Sequence, residues 1–189
     1  MKNRIGILFT LLLVLAFSAH AQSKKDMKKN KVKSVKETET VIEEGKEVTK
    51  DVSFQRFDGH GNVIEDINYD KEGKLKSKTT AVFDKDDQKT EETVFNPDGK
   101  VKLKKTYKYN VNGDKSEESV FEANGALQKR IVYSYNSNGD RITEVVMDPQ
   151  NNVTEKVFIL YDNKGMKIEK KTVDAKGGLI SDKRYTYEY

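Results

Sequence analysis

Tyrosine and a basic residue recur together in this sequence at a fixed separation, and no other combination in it is better suited to binding. The residues lie six positions apart in three pairs: Tyr109 and Lys115, Tyr135 and Arg141, and Tyr161 and Lys167. Aromatic rings beside cations suit stacking on a sugar or packing against a protein partner. The same rings also suit cross-strand packing inside a sheet, so the sequence leaves both roles open.

Residues that could carry out catalysis are sparse. His60 is the only histidine after residue 21, and no Ser or Thr is accompanied by an identifiable base. Glu91–Glu92 and Glu117–Glu118 are adjacent pairs, and adjacent side chains on a strand point to opposite faces, which is poor geometry for shared acid–base work. We therefore predict that the protein is not an enzyme and has no catalytic residues.

Metal and cofactor sites are not predicted either. The sequence contains no cysteine, which removes disulfides and thiolate ligands together. The acidic segment from Asp84 to Asp87 places oxygen ligands in a tight turn, but it lacks the spacing of a calcium-binding EF-hand loop. A single turn histidine such as His60 is more typical of a solvated side chain than of a ligand. No metal site and no cofactor are expected.

The first 21 residues have the organisation of a signal peptide. Lys2 and Arg4 precede an apolar stretch over residues 5–17, and Ala19 and Ala21 supply the small residues before a cleavage site. The stretch is too short to span a bilayer. We therefore expect an exported protein, periplasmic or secreted, with no transmembrane segment after cleavage. Residues 22–31 are then a charged flexible leader, and residues 32–189 form the β-hairpin repeat domain.

The net charge of the chain after cleavage is small. Loss of Lys2 and Arg4 leaves 33 basic against 31 acidic residues, a net charge of +2. Domains that bind nucleic acid normally carry a strongly basic surface. No nucleic-acid partner is therefore expected.

An internal repeat organises the chain after residue 56. Aromatic or apolar residues followed by a turn signal recur at alternating gaps of 12 and 14 positions: Phe57, Tyr69, Phe83, Phe95, Tyr109, Phe121, Tyr135, Met147, Tyr161, Val173 and, closing the series, Tyr187. Between them the sequence alternates with a period of two, as half-buried strands do. The unit is therefore 26 residues long, with two strands and two turns.

Asx residues open most of these turns and glycine closes them. The segment Asn96-Pro-Asp-Gly99 predicts a type I turn followed by a bulge at a left-handed glycine. Asp87 and Asn151 stand at glycine positions, and Asp and Asn are the non-glycine types that best tolerate the left-handed conformation. An earlier turn near Gly45 brings the expected total to about twelve strands.

Both gaps are even, so we expect odd-numbered strand residues to share one face and even-numbered residues to share the other. At one set of turns the facing residues are both apolar, as with Phe121 and Leu127; at the other set a ring faces a cation, as with Tyr135 and Arg141. The odd face is predicted to have an apolar margin and a Tyr–Lys/Arg margin. A cation–π contact is expected within each pair of the second margin.

These features predict an all-β fold. The expected architecture is an antiparallel β-hairpin repeat meander with a 26-residue two-strand unit. An apolar face must be covered or curled, so we expect a curved or spiralling sheet, with a closed up-and-down β-barrel as the alternative.

The segment Tyr133-Ser-Tyr-Asn-Ser-Asn-Gly-Asp-Arg141 and its echo from Tyr107 to Gly113 resemble the YD repeats of Rhs-type proteins. The similarity covers residues 57–189. The resemblance implies an exported or cell-surface β-sheet assembly, with carbohydrate binding or enclosure of a toxin among its roles, and it supplies no catalytic residue. We expect a short member of this class without an effector domain.

The expected function is that of a non-enzymatic exported binding or scaffold module. Its expected partner is a carbohydrate or a cell-envelope protein, bound through the Tyr–Lys/Arg margin. The alternative is a barrel-type small-ligand carrier in the periplasm, with the odd face lining a lumen.

Overall fold

Short turns opened by Asx residues determine where the strands end in the computed structural model, which describes residues 24–43 and 46–187. In one turn, Asn110 Oδ1 accepts hydrogen bonds from the N–H groups of Asn112 and Asp114, both at 2.9 Å. The same side-chain clamp recurs at seven other turns, opened by Asp58, Asp70, Asp84, Asn136, Asp148, Asp162 and Asp174. The predicted left-handed residues are confirmed, with φ of 61° at Asp87 and 67° at Asn151.

Within the described residues there are twelve strands, preceded by one short helix. The elements are α1 (Lys24–Lys29), β1 (Ser34–Glu43), β2 (Lys46–Phe57), β3 (Val63–Tyr69), β4 (Leu75–Phe83), β5 (Lys89–Phe95), β6 (Val101–Tyr109), β7 (Lys115–Glu122), β8 (Leu127–Tyr135), β9 (Arg141–Met147), β10 (Val153–Tyr161), β11 (Lys167–Asp174) and β12 (Leu179–Arg184). All belong to one sheet, in which each strand pairs antiparallel with the strand that follows it in the chain. The predicted meander is confirmed. The alternative of a closed barrel is wrong, because β1 and β12 end the sheet at two separate edges. The turn expected near Gly45 lies outside the described residues.

A second irregularity follows each turn and was not predicted. In the hairpin of β6 and β7, Tyr109 pairs with Lys115 but Lys108 pairs with Glu117, so Ser116 has no partner of its own. The same one-residue skip occurs in all ten hairpins from β2–β3 to β11–β12. A bulge of this kind sets two residues against one. Beyond it, odd-numbered residues therefore pair with even-numbered ones.

The second bulge overturns the expected separation of odd and even residues. Directly paired residues share a face, so the row Tyr107, Glu118 and Ile131 defines face A, and the row Thr106, Ser119 and Arg130 defines face B. Face A takes odd residues from β6, β8, β10 and β12 but even residues from β5, β7, β9 and β11. The facing pairs across the turns are all present as predicted. However, the pairs that contain a cation lie on face A and the apolar pairs lie on face B, at the opposite ends of the strands.

Face A carries the buried apolar residues of the central strands. Ile159 on face A is 2% exposed, whereas its neighbour Phe158 on face B is 43% exposed. Val120, Tyr133 and Val157 are also buried on face A. Full burial of an aliphatic side chain of this size contributes about 1.5–3 kcal/mol. The hydrophobic stabilisation of the sheet is thus concentrated on one side, the side that also holds the Tyr–Lys/Arg margin.

Part of the segment expected to be a charged flexible leader, residues 22–31, forms a helix. This helix is α1, and its Met27 is 4% exposed. The helix packs on Gly61, where a Cβ atom would collide with the helix backbone. The expected signal peptide, residues 1–21, lies outside the described residues. Within residues 24–43 and 46–187, no helix is both long and apolar enough to cross a membrane.

Asp87 connects α1 to two neighbouring turns. Its carboxylate lies 3.2 Å from Lys24 Nζ and 2.6 Å from His60 Nδ1, and it accepts a hydrogen bond of 3.0 Å from Asn62 Nδ2. The bonds from Asn62, His60 and Lys24 hold the pKa of Asp87 well below its usual range. A side chain at this left-handed position therefore holds the first turns together, which glycine would not do.

The two non-glycine left-handed residues are expected to respond oppositely to replacement by glycine. Asn151→Gly should raise the free energy of unfolding by up to about 1 kcal/mol, because it relieves the left-handed strain of a residue with a Cβ atom. Asp87→Gly relieves the same strain but removes the contacts to Lys24, His60 and Asn62, so stability should fall. Urea unfolding of both variants tests this pair of predictions. An increase in stability for Asp87→Gly would show that its contacts contribute little.

Candidate functional site

The six residues predicted to form the Tyr–Lys/Arg margin meet at one end of face A. Each tyrosine is the last residue of its strand and each cation is the first residue of the next strand. The Cα partners are Tyr109 with Lys115, Tyr135 with Arg141, and Tyr161 with Lys167. All six side chains are half-buried. The turn chemistry that ends one strand and starts the next therefore places these residues side by side.

The tyrosines of the margin are tied to the backbone by their hydroxyl groups. Tyr135 donates a hydrogen bond of 2.7 Å to the carbonyl oxygen of Lys115, which lies twenty residues earlier. The same bond recurs at 26-residue intervals from Tyr109 to Lys89 at 2.8 Å, from Tyr161 to Arg141 at 3.0 Å, and from Tyr187 to Lys167 at 2.8 Å. We call these four bonds the hydroxyl latches. Three latches join a hairpin to the hairpin before it, at the end of the strands where no turn connects the two. The fourth joins the segment after β12 to the hairpin of β10 and β11.

The cations lie over a different set of tyrosines from the one predicted. Lys115 Nζ is 4.2 Å from the ring centroid of Tyr107, and Arg141 Cζ is 5.1 Å from that of Tyr133. Lys167 Nζ is 5.8 Å from the ring centroid of Tyr185. The predicted cation–π contact within each facing pair is therefore wrong. Tyr107, Tyr133 and Tyr185, which we call the inner tyrosines, each stand two residues before a latch tyrosine.

Glutamates complete the margin and were missed from the sequence. Lys115 Nζ lies 3.2 Å from a carboxylate oxygen of Glu118, and Tyr133 donates a hydrogen bond of 3.1 Å to that same oxygen. Equivalent contacts join Lys89 to Glu92 at 2.8 Å and Arg141 to Glu144 at 3.4 Å. Residues three apart on a regular strand point to opposite faces. The contacts exist because the second bulge lies between the partners, so only the 26-residue recurrence of a cation and a glutamate signals them in the sequence.

The environment of the margin shifts the pKa of two inner tyrosines and of one glutamate. Burial raises the pKa of both Tyr107 and Tyr133, and the neighbouring carboxylates raise it further. Burial also acts to raise the pKa of Glu92, but hydrogen bonds and charge from Lys89 and Lys105 outweigh it, and the pKa is lowered. The margin is thus a row of rings and paired charges, an arrangement suited to stacking and polar contact with a partner.

Three open clefts lie elsewhere on the described residues. One of them, about 470 Å³, lies on face B and is lined by Thr93, Val101, Lys104 and Phe121 among others. The others, about 450 and 610 Å³, lie around β1 and β2. None of the three is lined by a residue of the Tyr–Lys/Arg margin. These three clefts are therefore separate from the Tyr–Lys/Arg margin.

Comparison with known proteins gives only weak structural likenesses. No family model matches the chain, and no curated protein matches it. A Photorhabdus luminescens Tc holotoxin pore is similar over 72% of this chain and 7% of its own, with 15% sequence identity and a TM-score of 0.47. A porin-like protein from Bacteroides uniformis is similar over 82% of this chain and 56% of its own, with 13% identity and a TM-score of 0.42. Likeness at this level identifies no family and no function.

Removal of one hydroxyl latch should destabilise the sheet by a measurable amount. Tyr135→Phe keeps the ring and deletes the hydrogen bond to Lys115, so the free energy of unfolding should fall by about 0.5–1.5 kcal/mol. Tyr69→Phe is the matched control, because Tyr69 also ends a strand but forms no latch, and it should change stability by less than about 0.5 kcal/mol. Urea unfolding measures both. Equal effects of the two variants would contradict the latch.

Acid should lower the free energy of unfolding by protonating Glu92, which pairs with Lys89 beside the margin. The folded state lowers the pKa of Glu92 below its ordinary value of 4.5. The resulting stabilisation is present above that value and is lost as the pH falls through the folded-state pKa. Glu92→Gln should therefore cost about 1 kcal/mol at neutral pH and progressively less towards about pH 3. Urea unfolding across this pH range tests the prediction, with the exposed Glu47→Gln as control. A difference from wild type that stays constant with pH would contradict it.

Proposed function

We propose that this protein is an exported, non-enzymatic scaffold of the YD-repeat type, which binds an envelope carbohydrate through the Tyr–Lys/Arg margin. The periplasm or the cell exterior is the proposed location, on the strength of the signal-peptide pattern in residues 1–21. The charge balance and the exported location speak against a nucleic-acid partner.

The observation that carries this proposal is the regular spacing of the margin. From β6 to β11, equivalent Tyr–cation pairs occur on every second strand. Neighbouring strands are 4.7–4.9 Å apart, so the pairs recur at intervals of about 9.5 Å along face A. A polymer with a short repeat would meet the same ring and the same charge at each interval. Several weak contacts of this kind add up because each one raises the effective concentration for the next. A repeating polysaccharide therefore fits this row better than a small ligand does.

The internal contacts of the margin support a binding role as well as a structural one. The latch holds the ring of each margin tyrosine in place. A glutamate and an inner tyrosine contact Lys115 and Arg141, and Lys167 lies over the inner tyrosine Tyr185. Side chains held in place before binding lose less entropy when a partner arrives. The side chains of Lys115 and Arg141 nevertheless remain 33% and 39% exposed. The row is thus rigid and still accessible.

The alternative of a barrel-type carrier loses its structural basis. A carrier of that kind encloses its ligand in a lumen formed by a closed sheet. The sheet here is open, with β1 and β12 as separate edges. The described strands therefore enclose no lumen of this kind.

Binding to purified envelope polysaccharides tests the proposal. The exported protein should bind an immobilised array of these polymers, and Tyr135→Ala combined with Tyr161→Ala should reduce the apparent affinity at least tenfold. Two stacking contacts of about 1 kcal/mol each account for a loss of that size. Tyr135→Phe combined with Tyr161→Phe keeps both rings and should retain most of the affinity.

A matched control distinguishes binding at the margin from nonspecific binding to any exposed aromatic ring. Phe158→Ala removes an exposed aromatic ring from face B, outside the margin, and should leave binding unchanged. Circular dichroism should show the same β signal for all variants. Unchanged binding by the double alanine variant, or an equal loss with Phe158→Ala, would refute the assignment of the margin as the binding surface.

A further inference from the structure

The sheet ends in two edges that are open among the described residues. Apolar side chains are exposed on both: Leu179 is 63% and Ile180 is 54% exposed on β12, and Ile42 is 67% exposed on β1. An exposed edge with apolar side chains is a template for pairing with a further strand. The residues on the two edges therefore indicate which strand can pair with each of them.

The even number of strands makes the two edges compatible with each other. Strands alternate in direction through the sheet, so β12 runs antiparallel to β1. If β12 of one copy lies beside β1 of a second copy, the antiparallel alternation continues and face A of one copy adjoins face A of the next. Ile180 near the start of β12 and Ile42 near the end of β1 then lie at the same end of the strands.

Pairing of β12 with β12 of another copy is chemically poorer. Antiparallel pairing of two identical strands sets the start of one against the end of the other. Leu179 and Ile180 would then lie beside Lys183 and Arg184 of the second copy. Apolar side chains would lose their apolar partners, and the basic residues would gain no acidic ones.

Pairing of β12 with β1 also brings one pair of opposite charges together. Ser34–Glu43 carries Lys36, Glu37, Glu39 and Glu43, whereas Leu179–Arg184 carries Asp182, Lys183 and Arg184. Continuity of the faces requires that even residues of β12 pair with even residues of β1. With Ile180 opposite Ile42, Lys183 falls opposite Glu39.

An acidic residue on the free edge of β12 would also reduce a repulsion at Lys183. Its partner within the chain is Lys170, so two like charges face each other across β11 and β12. Like charges directly opposite are unfavourable, and an opposite charge on the far side offsets this. Glu39 of a second copy supplies that charge.

We propose that copies of this chain associate head to tail, with β12 of one copy adding to β1 of the next in the register that sets Ile180 opposite Ile42 and Lys183 opposite Glu39. The contact uses different surfaces on the two copies, so it continues from copy to copy. The product is one extended sheet in which the Tyr–Lys/Arg margins of successive copies all lie on the same face, face A.

Cysteine cross-linking tests the partner and the register, because the native chain contains no cysteine. A mixture of Ile42→Cys and Ile180→Cys proteins should form a disulfide-linked dimer under mild oxidation, whereas neither variant should do so alone. A mixture of Thr38→Cys and Ile180→Cys should not cross-link, since Thr38 lies about 13 Å further along β1 in this register. Cross-linking of Ile180→Cys alone would show β12–β12 pairing and would overturn the proposal.

Charge exchange provides a second readout on the native sheet. Lys183→Glu should weaken self-association at least fivefold in analytical ultracentrifugation, because an attractive pair becomes a repulsive one. A mixture of Lys183→Glu and Glu39→Lys proteins should recover association through the restored pair. Wild-type protein that stays monomeric over the whole concentration range, or a charge exchange without effect, would overturn the head-to-tail contact.

Discussion

The second bulge after each turn is the constraint on which the rest of the structure depends. The turn glycine already inserts one extra residue, and the second bulge inserts another just after the turn. Odd-numbered residues of one strand therefore share a face with even-numbered residues of the next. Facing pairs at one end of the strands consequently lie on face A, and those at the other end lie on face B. The contact of Lys115 with Glu118 and the position of Lys115 over Tyr107 follow from the same insertion. A hairpin without the second bulge would place Lys115 and Glu118 on opposite faces.

The hydroxyl latches join neighbouring hairpins of the meander to each other. At the end of the sheet with the Tyr–Lys/Arg margin, turns join strands within a hairpin but leave neighbouring hairpins without a covalent connection. From Lys89 onwards, the latches join neighbouring hairpins there by hydrogen bonds. No latch joins the hairpin of β2 and β3 to the hairpin of β4 and β5, because the position equivalent to a latch tyrosine holds Phe83, which has no hydroxyl group. There Asp87 replaces the usual glycine and bonds to Asn62 and His60 in the preceding turn. Two departures from the repeat thus have a single explanation.

The sequence was sufficient for those features that rest on local chemistry. Asx and glycine at fixed offsets specify the turns, and the turns specify the facing pairs that form the margin. The second bulge has no such signature: the skipped residues include Ile64, Lys102 and Ser116, which share no property. The face assignment failed for this reason, and so did the prediction of which tyrosine each cation covers. The helix α1 escaped prediction because its Met27 is buried by a tertiary contact on Gly61 and not by any periodic pattern of its own.

The unusual composition is what allows an open sheet to bury apolar residues. Val120 is 3% exposed although it lies between two lysines, with Lys105 and Lys129 as its cross-strand partners. Long basic side chains cover apolar neighbours with their methylene stems while the charged heads reach solvent or an acid, and Lys105 reaches Glu92 at 3.2 Å. The stems of charged residues on face A therefore shield the apolar residues of that face from solvent. Equal fractions of charged and hydrophobic residues, 35% each, are consistent with a sheet in which each strand helps to cover the apolar residues of its neighbours.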